Sequence, residues 1–299
     1  MNQKRLLPFV IVALCVTALL AADSSAQKKQ RHGRGAPRRP APTSTLAATS
    51  PPAWPNLDVL APFHGLHGES CDLNGAGKVG TEKAKSNRLK NRYTLPDAAF
   101  EEVTFAHLLA LNQGEISSDK KQIINFPRSN DPNNQRAVSI VGYVISAKAS
   151  GCAVRKDKQG HVTSQGESCN CNTADPKLCD AHIEIVSDPD ADHAGGRGVV
   201  VVEVTERARR LAALRLLEDH NTIGTNWSSW TLGNKKSKNR IVGKWVRFSG
   251  WLFYDADHFD QAWAIDPQDK IGGSNFRETA WEMHPVMGIE VLPGPPSGR

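Results

Sequence analysis

Past residue 26 the sequence has no apolar run approaching the ~20 residues that a membrane-spanning helix needs, so no second hydrophobic segment suggests a span. The short signatures of several large enzyme classes are missing as well. There is no G-x-x-x-x-G-K-S/T loop, no H-E-x-x-H and no G-x-S-x-G. Readings as a P-loop phosphotransferase, zincin or α/β-hydrolase are therefore left without their residues. Excess positive charge is a third shortage, and it is hidden by the net charge of +6. Residues 1–55 carry eight Lys and Arg against one acid, Asp23, a net of +7, so residues 56–299 sum to −1. A specific nucleic-acid surface needs a basic face on the folded part, and global charge gives no support for one.

What is present begins with Lys4 and Arg5, the apolar run from Leu6 to Ala22, and the small residues Ser24-Ser25-Ala26. This is the pattern of a secretory signal peptide over residues 1–26 with cleavage after Ala26, and it predicts export to a periplasmic or extracellular space. Cys15 sits inside the apolar run and leaves with it. Residues 27–63 are rich in basic residues, Pro, Ala and Ser without apolar periodicity, which predicts a disordered tether. Such a tether suits nonspecific attraction to an anionic polymer or membrane surface, or serves simply as a solubilising linker.

Residues 64–135 read as a helical and irregular lead-in. "GTEKAKSNRLKNRYTLP" is helix-compatible up to Pro96, and Phe100, Val103 and Leu108 or Leu111 recur at helical spacing. After the turn-rich "RSNDPNNQ" the period changes to two. Strands are predicted over 137–148, 181–188, 198–205, 243–255 and 279–292, with a helix over 206–220 whose stripe is Leu211, Leu214 and Leu216 or Leu217. Gly142 and Gly250 fall mid-strand, where glycine permits tight coiling. The order β-β-β-α-β-β predicts a mainly β protein: a five-stranded OB-like Greek-key barrel over residues 136–292, with a disordered tail at 293–299. An immunoglobulin-like sandwich calls for more strands and no helix between the third and fourth.

"ESCNC" followed by "DAHIEI", "VVVEVTERAR", "GKWVRFSGWLFYDADH" and "RETAWEMHPV" together resemble a group of exported bacterial proteins with an OB-like domain. "NRLKNRYTLP" resembles part of the same group's lead-in, so the likeness covers roughly residues 69–292. It implies a fold and export, and it supplies no reaction and no catalytic residue.

Three sets of residues are chemically suggestive. The cysteines are the first. After cleavage five remain, Cys71, Cys152, Cys169, Cys171 and Cys179, and in an exported chain disulfides are expected. Cys152 ends the first strand and Cys179 precedes the second, so the two can face each other, leaving Cys71 to pair with Cys169 or Cys171 and one thiol free. Cys169, Cys171, Cys179 and His182 also form C-x-C-x7-C-x2-H, a set suited to zinc, the alternative to having no cofactor.

Histidine and carboxylate make the second set: Asp180, His182 and Glu184 at the second strand, Glu203 on the third, Asp255, Asp257 and His258 after the fourth, and Glu282 with His284 on the last. They fit a divalent-metal or acid–base site, or separate fasteners, with Glu282 paired to Arg277 and His284 bonded to a backbone carbonyl or Asp255. Local fastening predicts His284 near Asp255 or His258 and His182 apart from them, beside the cysteine loop. Asp180, Glu203 and Arg247 or Arg277 could imitate the acids and arginines of a staphylococcal-type nuclease, though that family's local motifs are absent. The third set is Trp245, Arg247, Trp251 and Phe253, one face of the fourth strand, which either stacks on ligand rings together with Arg277 or lies under the lead-in. The expectation is an exported binding or structural module, with a metal-assisted hydrolase or nuclease as the alternative.

Overall fold

The computed structural model describes residues 63–64, 70–94, 96–119, 122–149, 156–161, 166–173, 178–213, 241–268, 271 and 274–296. The predicted signal segment, residues 27–62 of the predicted tether, Cys152, positions 214–220 of the predicted helix and the last three residues lie outside them.

The lead-in contributes two short helices, α1 (Glu82–Lys90) and α2 (Phe105–Ala110). Thr81 caps α1, its hydroxyl accepting from the Ala84 amide at 3.3 Å, and Thr104 caps α2 at the His107 amide. Phe100 and Val103 therefore precede α2 and do not belong to it. The buried side chains of α1 are Ala84, Asn87 and Lys90, a helical face with little apolar content. A helix of that composition gains little from an apolar surface, and α1 lies on a polar one.

Five strands form the barrel: β1 (Ala137–Ala149), β2 (Ala181–Val186), β3 (Val199–Val204), β4 (Trp245–Tyr254) and β5 (Trp281–Val291), with α3 (Glu206–Ala213) following β3. β1 pairs antiparallel with β2, and β2 with β3. β5 then runs parallel to β3, with Met283 opposite Val202, and antiparallel to β4. β4 returns to β1, Val246 opposite Gly142, so the ring closes as β1-β2-β3-β5-β4-β1. This closed mixed barrel is the expected OB-like architecture, with the helix and strands in the predicted order. Closure leaves no free edge between the first and last strands.

Alternation in each strand sends one set of side chains inward. Ile183, Ile185, Val200, Val202, Val246, Phe248, Leu252, Trp281 and Met283 fill the interior, all buried. Trp281 packs edge-on against Tyr254, and its indole N–H donates to the Asn112 carbonyl at 2.8 Å, so the lead-in also plugs this core. Gly250 is required for a tighter reason than coiling. A Cβ there would sit 2.3 Å from the Pro285 carbonyl oxygen, where β5 shifts register between Met283 and Val286.

Candidate functional site

The outward set on β2, β3 and β5 is polar and nevertheless buried. His182 on β2 stands directly opposite Glu203 on β3, and the parallel β3–β5 register brings Glu203 beside Glu282 and His284. His182 Nδ1 lies 2.8 Å from Glu203 Oε1, and its Nε2 lies 3.4 Å from Glu184. His284 is wedged among three carboxylates. Its Nδ1 lies 3.0 Å from Glu282 Oε1 and 3.2 Å from Glu203 Oε2, and its Nε2 lies 3.1 Å from Asp180 Oδ2.

The network continues past Glu282. Arg277 donates from Nη1 to Glu282 Oε2 at 2.8 Å and from Nη2 to Asp255 Oδ2 at 3.2 Å, and also to the His258 carbonyl. Asp255 Oδ2 lies 2.6 Å from His258 Nδ1, and its Oδ1 lies 3.7 Å from Lys90 at the end of α1. Lys90 also reaches Glu167 at 3.5 Å, and the Cys169 thiol donates toward Glu167 Oε2 at 3.4 Å and Asp180 Oδ2 at 3.7 Å. Six carboxyls (Glu167, Asp180, Glu184, Glu203, Asp255 and Glu282) thus interleave with five basic side chains (Lys90, His182, His258, Arg277 and His284).

The charges tune one another. Burial alone would make His284 and His182 less basic, but the carboxylates around them win, raising His284 to about 10 and His182 to about 9. Burial pushes Glu203 up, and the neighbouring Glu167 and Glu282 push the same way. Glu167 is lowered to about 2 because Lys90, His284 and His258 outweigh its burial. Asp255 lies well below the ordinary range for the same kind of reason, with His258, Lys90 and Arg277 overcoming burial. Asp255 in turn raises His258. The Cys169 thiol is pushed well up by burial and by Asp180 and Glu167, so it is held as a thiol.

All the candidate acids and histidines of the second set except Asp257 meet in this layer; Asp257 pairs instead with Lys83 at its rim. The expected separation of His182 from the other histidines does not hold: Glu203 bridges it to His284. Fastening of Arg277 to Glu282 does hold, whereas His284 bonds to carboxylates and not to a backbone carbonyl or Asp255. Lys90 and Glu167 escaped the sequence reading. Lys90 ends a lysine-rich helix that reads as solvent-exposed, and Glu167 sits in a loop with no periodicity.

The C-x-C-x7-C-x2-H zinc set is corrected. Cys171 is bonded to Cys71, one of the two pairings left open for Cys71, and Cys179 is disulfide-bonded too, so neither offers a thiolate. The free thiol among the described residues is Cys169, which is buried. Cys152, the partner expected for Cys179, lies outside the described residues.

The aromatic row of β4 is broken up by the lead-in. Phe253 is buried beneath Lys90, whose Nζ lies 5.2 Å from the ring centre. Trp251 lies under Arg92 and donates its indole N–H to the Thr94 carbonyl at 3.0 Å. Trp245 meets Tyr143 edge-on, and Arg247 pairs with Glu290. A continuous stacking platform is therefore absent from the described part of this face.

One opening borders the layer. A pocket of about 230 Å³ is lined by Lys83, Asn87, Lys90, Glu167, Cys169 and His258, among others. The His258 side chain is 39% exposed, while those of His182, Glu203, Glu282, His284 and Asp180 are 0–8% exposed. Chemically, the layer can hold protons and positions firmly, and among its described residues the His258 end is the most open to solvent. No family model matches the chain, and no curated protein or solved structure matches it.

Proposed function

We propose that the protein is an exported binding or structural module on an OB-like barrel, whose buried His–carboxylate layer fastens the lead-in to the barrel and frames a small polar pocket. One observation carries this reading: the groups a hydrolase would use are shut away and committed to one another. A general base must come within about 2.6–3.2 Å of the proton it takes, and here His182 and His284 spend that reach on carboxylates of the same chain. The pocket's polar rim suits a small polar ligand. Export rests on the pattern of residues 1–26, and attraction to anionic surfaces on the basic stretch that follows.

Metal-assisted hydrolysis is the second reading, favoured by the half-open His258 at the pocket, bonded to the buried Asp255 behind it. Turnover of activated phosphodiesters and carboxylic esters, with and without added divalent metal, separates the two. A module shows no turnover above background. Hydrolysis that disappears in His258→Ala makes hydrolase the better reading. Secretion can be followed separately, with Gln27 expected as the mature N-terminus. Deleting residues 27–55 should leave the fold intact and abolish salt-sensitive binding to anionic vesicles; binding that persists unchanged refutes the role of the tether.

A further inference from the structure

Three groups of side chains, all buried except the partly exposed Glu167, present potential ligand atoms within 4.8 Å of one another: Cys169, Asp180 and His284; Glu203, Glu282 and His284; and Glu167, Asp180 and Glu203. They overlap at Asp180, Glu203 and His284. Asp180 is fully buried, yet its Oδ1 makes no hydrogen bond, and Glu203 Oε2 has none of proper geometry. A buried carboxylate oxygen such as Asp180 Oδ1, without a hydrogen bond, is costly and leaves room for a cation beside it.

We propose that Cys169 Sγ, Asp180 and His284 Nε2 bind one divalent transition-metal ion of the zinc type, with Glu203 or Glu167 supplying a fourth ligand. Spacing supports the site. Ligands at about 2.3 Å (sulfur) and 2.0 Å (oxygen or nitrogen) from a tetrahedral ion lie about 3.3–3.5 Å apart. Cys169 Sγ and Asp180 Oδ2 are 3.7 Å apart, and His284 Nε2 and Asp180 Oδ2 are 3.1 Å apart. A thiolate and an imidazole beside carboxylates select a borderline metal; calcium and magnesium prefer oxygen alone.

The proton balance also fits. The Cys169 thiol points its proton at Glu167 and Asp180, and His284 meets a carboxylate at both ring nitrogens. One divalent ion replacing the Sγ and Nε2 protons releases two protons and leaves the charge of the layer unchanged. Glu282, on the other ring nitrogen, would then orient His284 as a carboxylate typically orients a metal-bound imidazole. Cys169 and Glu167 both line the pocket, which provides a path inward. The site shares only Cys169 with the C-x-C-x7-C-x2-H set, and it stands whether or not any reaction occurs.

The test is titration of the chelator-stripped full-length chain with Co²⁺ alone. One equivalent should bind with a thiolate-to-cobalt charge-transfer band. Cys169→Ala should lose the band while keeping its far-UV circular dichroism, and Glu282→Gln should weaken uptake about 10–100-fold. If Cys169→Ala does not fold, X-ray absorption of the cobalt-loaded wild type decides instead, with one sulfur among nitrogen and oxygen neighbours expected. The proposal fails if folded wild type takes up no cobalt, if the bound metal has no sulfur neighbour, or if folded Cys169→Ala keeps the band.

Discussion

The two faces of β5 can be set against each other residue by residue. Trp281 and Met283 point into an apolar interior, whereas Glu282 and His284 point outward into a layer of charge. Both faces are equally hidden, none of the four side chains being more than 2% exposed. Burial on the inside is favourable in itself, at roughly 25 cal/mol per Å² of apolar surface. Burial on the outside is unfavourable for each charge alone and tolerable only because opposite charges are interleaved. The barrel interior therefore accounts for stability, and the layer for the position of α1 and the 168–170 turn against the barrel.

The contrast is sharpest under mutation. Trp281→Ala should have the largest effect, about 3–5 kcal/mol for the cavity plus about 1 kcal/mol for the hydrogen bond to Asn112. Urea unfolding of the purified chain measures it. Arg277→Met leaves Glu282 and Asp255 facing each other without their shared cation and should cost about 3–5 kcal/mol. A loss below 1 kcal/mol would mean that the layer relaxes freely, unlike a packed core.

Acidity should separate the faces further, in metal-free buffer. The depressed carboxyls Asp255 and Glu167 contribute stability that is present above their unfolded values near 4 and lost as pH falls, for Glu167 toward about 2. The raised imidazoles contribute stability that is complete below 6.5 and lost as pH climbs toward about 9 for His182 and about 10 for His284. Stability should peak between about 4.5 and 6.5. The cost of Trp281→Ala should be flat across that range, while the cost of Arg277→Met varies with pH. The smallest effect is expected at Arg247, whose pair with Glu290 is about one-third exposed; Arg247→Ala should cost under about 1 kcal/mol.

Period two made the interior readable, because a half-buried strand writes its inward face into alternate positions. It also showed that Trp245, Arg247, Trp251 and Phe253 share a side, though only the fold shows Arg92, Lys90 and Thr94 covering two of them. The polar layer was legible as a list and not as an arrangement. His182 and His284 are 102 positions apart, and they meet because β5 inserts parallel to β3, a pairing that no local pattern encodes. Lys90 and Asn87 were hidden in another way. "EKAKSNRLK" has the composition of a solvated helix, and its buried face is polar because the surface it meets is polar.

Native-state hydrogen exchange tests most directly whether the layer joins lead-in and barrel into one unit. If it does, the amides of Lys85 to Lys90 in α1 exchange only with global unfolding, at a free energy matching that of β5, and Arg277→Met drops the helix below the strand. Exchange of α1 by local opening in the wild type, far below the free energy of β5, would contradict the account.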